Sequence, residues 1–209
     1  MVETADSAMA TVTALELGAL DFVLKPSSGT RLGAAAVGGC CGIGPEHVRE
    51  MVRLASLAPS PNNQQPWRFI AVTRKPLLKD MADAVRAQLK SLLPAAMSED
   101  ARRAAQRVEW FSTFFADAPL VMAVTRQPYE SVMVRAVAGA SLSAADINSM
   151  RGHPDIQSVG AAVEHLLLAA AGMGYGSCWV IGPLIAREAL QGLLGVHAPE
   201  QLAALVTIG

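Results

Sequence analysis

Apolar residues fall in short blocks whose spacing alternates between that of a helix and that of a strand. A first helix is predicted over 4–17, with Ala14, Leu15 and Leu17 on its apolar side and Gly18 as its stop. The brief strand LDFVL follows and ends at Lys25-Pro26. From Pro45 a better-marked helix carries Val48, Met51, Val52 and Ala55 on one stripe, with Arg49, Glu50 and Arg53 opposite, and it ends at Ala58-Pro59. The run RFIAVT over 68–73 is apolar on both faces and predicts a buried strand. Helices are predicted over 77–93 and 98–116, the second with Ser98 as its cap and Val108, Phe111 and Phe115 on its apolar stripe. LVMAVT is a further buried strand, whereas 127–151 has no readable period. Val159, Val163, Leu166, Leu167 and Ala170 mark a core helix that stops among Gly172, Gly174 and Gly176. The strand SCWVI, a turn at Gly182-Pro183, a helix over 186–194 and the strand ALVTIG complete the series. Helices and strands interspersed singly predict a layered mixed architecture.

The stretch SSGTRLGAAAVGGCCGIG has almost no large side chains and reads as a boundary. It separates a fragment at 1–28 from a linker at 29–43 and a domain at 44–209. Composition narrows the possible functions. The 209 residues are 52% hydrophobic with mean hydropathy +0.32, which predicts a folded chain. Lys and Arg number 17 against 18 acidic residues, so the broad basic footprint of a nucleic-acid binder is missing. Cys40 and Cys41 are adjacent and Cys178 is remote, which makes neither a disulfide framework nor a zinc spacing. With an N-terminus lacking the basic and apolar regions of an export signal, this predicts a cytoplasmic location. The apolar run at 166–186 is broken by its glycines and Pro183, so no membrane span is expected.

Candidate chemistry concentrates at APSPNNQQPW, residues 58–67. Four consecutive amide side chains between prolines carry donors and acceptors that all require partners. Composition alone favours a polar surface turn closing on a buried Trp over a ligand loop. The four histidines show no ligand spacing: His47 and His165 lie on predicted helices, His153 precedes Pro154, and His197 follows a helix. Arg102, Arg103 and Arg107 suit a solvated helix face, and Cys178 beside Trp179 suits a small buried hydrophobe.

Two motifs, taken together, change the balance. Ala58-Pro59-Ser60, Asn63 and Gln65-Pro66-Trp67-Arg68-Phe69, with GAAVEHLLLAAAGMGYGSCWVIGP from Gly160 to Pro183, resemble the FMN-dependent nitroreductase family; Asp117-Ala118-Pro119 is a looser third echo. The similarity spans roughly residues 44–209. It implies an α+β fold, a three-layer α/β/α sandwich with a central mixed, largely antiparallel sheet, assembled as a homodimer with FMN between subunits. By the same resemblance Pro59, Ser60, Pro61, Asn63 and Gln65 line or hold the flavin, and Ile181 and Gly182 present backbone N–H groups to its ring. The implied activity is electron transfer from NAD(P)H to a nitroaromatic, quinone or similar small-molecule acceptor by a ping-pong mechanism, with no catalytic side chain and no metal.

The chain departs from the family pattern at both ends. Where members carry an Arg-Ser-x-Arg type grip on the FMN phosphate, this chain has LGAAAVGG with Arg31 as the nearest cation, and it stops at Gly209 where members continue into a basic arm. The alternative expectation is a noncatalytic remnant of the fold with weak or no flavin binding. Separately, TVTALELGALDFVLKPSSG resembles the end of a response-regulator receiver domain of the chemotaxis methylesterase type, through Gly18-Ala19, Asp21-Phe22 and Lys25-Pro26. Lys25 reads there as a relic of that fold, since the phosphoacceptor would lie upstream.

Overall fold

A computed structural model describes residues 19–22, 42–128, 131–137 and 142–209. The receiver-like residues apart from 19–22, most of the linker, Lys25, Arg31, Cys40 and Cys41 lie outside them. Strands β1 (Ala19–Phe22), β2 (Trp67–Val72), β3 (Leu120–Arg126), β4 (Ser177–Val180) and β5 (Gln201–Ile208) form one sheet in the order β1-β2-β3-β5-β4. Every pairing among the described residues is antiparallel. The strand predicted at LDFVL is therefore present over 19–22, as the edge beside β2.

Side chains alternate across this sheet, and both faces are covered. Phe69, Ala71, Met122, Val124, Ala204 and Val206 meet helices α1 (Pro45–Ala55) and α6 (Pro154–Gly172) on one face. Ile70, Val72, Val121, Ala123 and Leu205 meet α2 (Lys75–Leu92), Phe115 and α7 (Arg187–Leu194) on the other. Burial of each large side chain contributes about 1.5–3 kcal/mol, so these two cores hold the three layers together. The helix periods of the sequence follow directly: Val48, Met51, Val52 and Ala55 of α1 are all buried, as are Val159, Val163, Leu166 and Ala170 of α6.

Between Val124 and Thr125 the β3–β5 register shifts by one residue: Val124 pairs with Ala204, and Thr125 pairs with Leu202. This bulge leaves Ala203 packed on the α1/α6 side beside Ala204, and it brings Leu202 to the same face as Leu205. The segment 127–151, where no period was readable, holds two short helices, α4 (Val132–Ala136) and α5 (Ala144–Met150). Ser143 caps α5 in a reciprocal box with Asp146.

Two expectations change. Helix α3 (Glu99–Thr113) has its predicted cap, Ser98 Oγ accepting from Ala101 N at 3.2 Å, but its stripe is buried only at the far end. Phe115, in the following 3-10 turn, is fully buried, whereas Val108, Trp110 and Phe111 are exposed. Trp110 stacks on Phe114 and meets Phe111 edge-on. Cys178 is also exposed, because β4 is an edge strand.

Candidate functional site

The antiparallel register collects several chain segments at one end of the sheet. Trp67, the first residue of β2, is opposite Arg126, the last of β3, and Arg126 is opposite Gln201, the first of β5. The loop 59–66 enters the sheet there, and β4 runs towards the same end before the turn at Ile181-Gly182.

After α1 the chain turns through Ser56 and Leu57 into a 3-10 turn, Pro61–Asn63. Asn62, Asn63 and Gln65 all adopt positive φ, of 54°, 52° and 49°. A left-handed backbone costs an ordinary L-residue roughly 1–2 kcal/mol, less for asparagine, so three such residues in four need support. Ser60 Oγ accepts from Gln65 N at 2.9 Å, while Gln65 Nε2 donates to Ser56 O at 3.2 Å and to Asn63 Oδ1 at 3.3 Å. Trp67 is buried in the α1/α6 core and anchors the end of the loop. Ser60 and Gln65 thus act inside the loop, Pro59 and Asn63 are exposed at its surface, and Pro61 is half-buried. APSPNNQQPW is a surface turn closing on a buried Trp, and its backbone is held in a shape that free peptides avoid.

Ile181 and Gly182 follow β4 at the other side of the sheet, and Ile181 is 64% exposed. Trp179 lies against Gly160 of α6, where an added Cβ would be 3.7 Å from the indole. The loop leads into β2, whereas 181–182 follow β4, and β3 and β5 lie between those two strands in the sheet. One copy of the chain therefore presents the two candidate segments separately.

Two ionic networks flank this end of the sheet, one on each face. Arg68 grips Glu200 through Nε and Nη2, at 2.6 and 2.8 Å, and the Thr125 hydroxyl donates to the same carboxylate. On the other face Arg126 donates to Asp155 in the first turn of α6, and to Gln201 Oε1 at 2.6 Å. Asp155 Oδ1 and Asn148 Oδ1 are buried without a hydrogen-bond partner. The sequence motif contained Arg68, but nothing in its spacing marked Thr125, Glu200, Asp155 or Gln201 as its neighbours.

His47 is on α1 and His165 on α6, while His153 precedes α6 and His197 follows α7. His47 Nδ1 accepts from Gly44 N at 3.1 Å and lies 3.2 Å from the Tyr175 hydroxyl, with the rings edge to face. The described residues contain no cluster of three His, Cys, Asp or Glu able to hold a metal, and no helix long and apolar enough to cross a membrane. Arg102 and Arg103 are exposed and pair with Glu99 on the same helix.

Residues 42–209 match the nitroreductase family. The chain belongs to that family. A provisionally named NADH dehydrogenase/NAD(P)H nitroreductase of Archaeoglobus fulgidus is 28% identical over 169 residues, covering 80% of this chain and 74% of the relative. The fold is shared with a BluB-like flavoprotein from Clostridium difficile 630, at TM-score 0.70 and 24% identity over 82% of each chain. It is also shared with a nitroreductase with bound FMN from Desulfitobacterium hafniense, at TM-score 0.57 and 20% identity over 80% of this chain and 78% of that one. The α+β nitroreductase fold expected from the resemblance is thus the fold observed. The family match begins at residue 42 and does not extend to the receiver-like fragment.

The residues suit one part of FMN better than another. The exposed amides of the strained loop and the open backbone at Ile181-Gly182 fit a planar, hydrogen-bonding ring system. The phosphate finds less: Arg68 and Arg126, the guanidinium groups at this end of the sheet, are engaged by Glu200 and Asp155.

Proposed function

We propose that this nitroreductase-family chain binds FMN and serves as a flavin oxidoreductase, drawing electrons from NAD(P)H and delivering them to nitroaromatic, quinone or similar small acceptors. The observation that carries the reading is the loop in which Asn62, Asn63 and Gln65 are held at positive φ by side chains that are themselves part of the family motif. Pro59, Ser60, Pro61, Asn63 and Gln65 form one wall of the cofactor site, and Ile181 and Gly182 form the other. Bound FMN would supply hydride acceptance from the nicotinamide and electron transfer to the acceptor. The protein holds the ring, places fixed N–H donors along its edge, and keeps one face open for donor and acceptor in turn, which gives ping-pong kinetics.

The separation of the two walls within one chain supports a homodimeric site, with each wall contributed by a different copy. Helix α6 points the same way. It is apolar or small on much of its surface, yet Ile156 and Leu168 are exposed, about 120° apart around the helix. A second copy laid against this side of α6 would cover Leu168.

A noncatalytic remnant is the competing reading, favoured by the engaged guanidinium groups described above. Visible absorption of the purified protein, before and after incubation with FMN and removal of the free fraction, separates the two. Flavin bands that bleach with NADH or NADPH and return with a quinone support the oxidoreductase. A folded dimer that stays colourless refutes it. Asn63 distinguishes the roles within the loop: Asn63→Ala loses both the side chain and the residue's tolerance of positive φ, whereas Asn63→Gly restores the backbone alone. Flavin retained by Asn63→Gly but lost by Asn63→Ala assigns Asn63 to shaping the loop.

A further inference from the structure

Gly182 is a glycine for reasons of space. Its φ lies outside the left-handed region, yet a Cβ at this position would stand 2.6 Å from Ser112 Oγ and 3.4 Å from Ser112 Cβ. A Cβ this close would make the Ser112 hydroxyl turn away or lift the turn after β4 from α3, so the turn is seated directly on α3 at this point. Ser112 is 3% exposed, and with Thr113 it is one of two buried residues of the helix. Much of the rest of α3 is exposed, Val108 and Phe111 included, and it lies along α2, where Arg86 reaches Glu109 at 3.6 Å. Ser112 is therefore where α3 meets the turn that carries Ile181 and Gly182.

We propose that Ser112 is the positioning residue for this turn, setting where the Ile181 and Gly182 backbone N–H groups stand and so how well they meet the cofactor. The inference rests on the flavin reading above. Its physical content is a fit between a hydroxymethyl group and a missing side chain: α3 cannot shift along the turn without Ser112 striking the backbone of Gly182. A larger residue at either position drives the Ser112 hydroxyl from its place and presses the two elements apart. A smaller residue at 112 lets the turn relax towards α3, which withdraws the N–H groups.

A double-mutant cycle over Ser112→Ala and Gly182→Ala tests it, read both by melting temperature of the flavin-free protein and by FMN affinity from quenching of flavin fluorescence. Gly182→Ala alone should weaken FMN binding roughly tenfold, the scale of coupling between residues in contact, and should lower the apoprotein melting temperature. In the Ser112→Ala background the same change should cost no more than about twofold, because the atom it strikes is gone. A Gly182→Ala protein that folds only in that background is the same result in stronger form. Equal losses in both backgrounds, or failure to fold in both, overturn the role of Ser112. Wild-type protein that takes up no FMN instead overturns the flavin reading, and with it the cofactor half of this inference. The apoprotein cycle then reports on the seat alone.

Discussion

Glu200→Ala offers the most direct test of how the site end of the sheet is held. Glu200 and Arg68 have side chains 13% and 16% exposed, and the pair is bidentate, with Thr125 adding a third hydrogen bond. Removing the carboxylate leaves a largely desolvated guanidinium without its counter-charge, and breaking buried pairs in this way costs about 3–5 kcal/mol. The residual exposure admits some water, which places the expectation near the lower limit, about 3 kcal/mol. For a chain of this size, that corresponds to a fall in melting temperature of roughly 6–12 °C. Urea unfolding followed by far-ultraviolet circular dichroism gives the free energy, and differential scanning fluorimetry gives the temperature. Glu200→Gln keeps one acceptor and should lose roughly half as much. Replacing both partners, Arg68→Met with Glu200→Leu, should recover stability to within about 1 kcal/mol of wild type, since apolar pairs often substitute for buried ions. A loss below about 1 kcal/mol for Glu200→Ala would put the pair in the class of weak surface contacts and refute the reasoning.

Three further outcomes are expected. Phe115→Ala empties a fully buried position that ties the end of α3 to the α2/α7 core, and should cost about 3–5 kcal/mol by chemical denaturation. Leu168→Arg puts a charge on the exposed side of α6 and, on the proposed homodimeric flavin site, should shift the protein to monomer in sedimentation with loss of bound flavin; a dimer that persists would move the interface elsewhere. The Ser143 hydroxyl, then its backbone N–H, holds the Asp146 carboxyl below its usual 3.8. A depressed carboxyl stabilises the fold above its unfolded pKa, and that contribution is lost as pH falls through the lower, folded value. Titration of Asp146 by NMR should move up towards 3.8 in Ser143→Ala, and an unchanged midpoint would remove the cap from the account.

The sequence made the interior legible because burial and periodicity are local. Val48 to Ala55, Phe69 to Val72 and Val159 to Ala170 announced their elements, and the structure buries them as expected. Helix α3 was legible as a helix but not as a surface, since its stripe at Val108 and Phe111 is apolar whether or not the same chain covers it. Cys178 failed for a related reason: sequence shows that β4 is a strand, but not that it lies at an edge. The loop motif pointed to the right segment, yet the positive φ angles of Asn62, Asn63 and Gln65 are set by bonds to Ser56 and Ser60 that composition does not encode. Long-range partners were least legible, as with Glu200 for Arg68 and Ser112 for Gly182, because no local spacing connects residues so far apart in the chain.

The single extra residue in β5 bears on which insertions and deletions this family member can tolerate. Loss of Ala203 would restore a regular ladder to β3 and leave the rest of the strand as it is: Leu202 would follow Ala204 directly, still opposite Thr125 and still on the α2/α7 face. The damaging change is a slip of register at full length, with Ala203 itself paired to Thr125. Leu202 would then leave the α2/α7 core and Gln201 would turn from Arg126. A deletion of three nucleotides at this small, chemically plain alanine should therefore spare both ionic networks. The bulge marks a place where the strand can lose one residue without moving its neighbours.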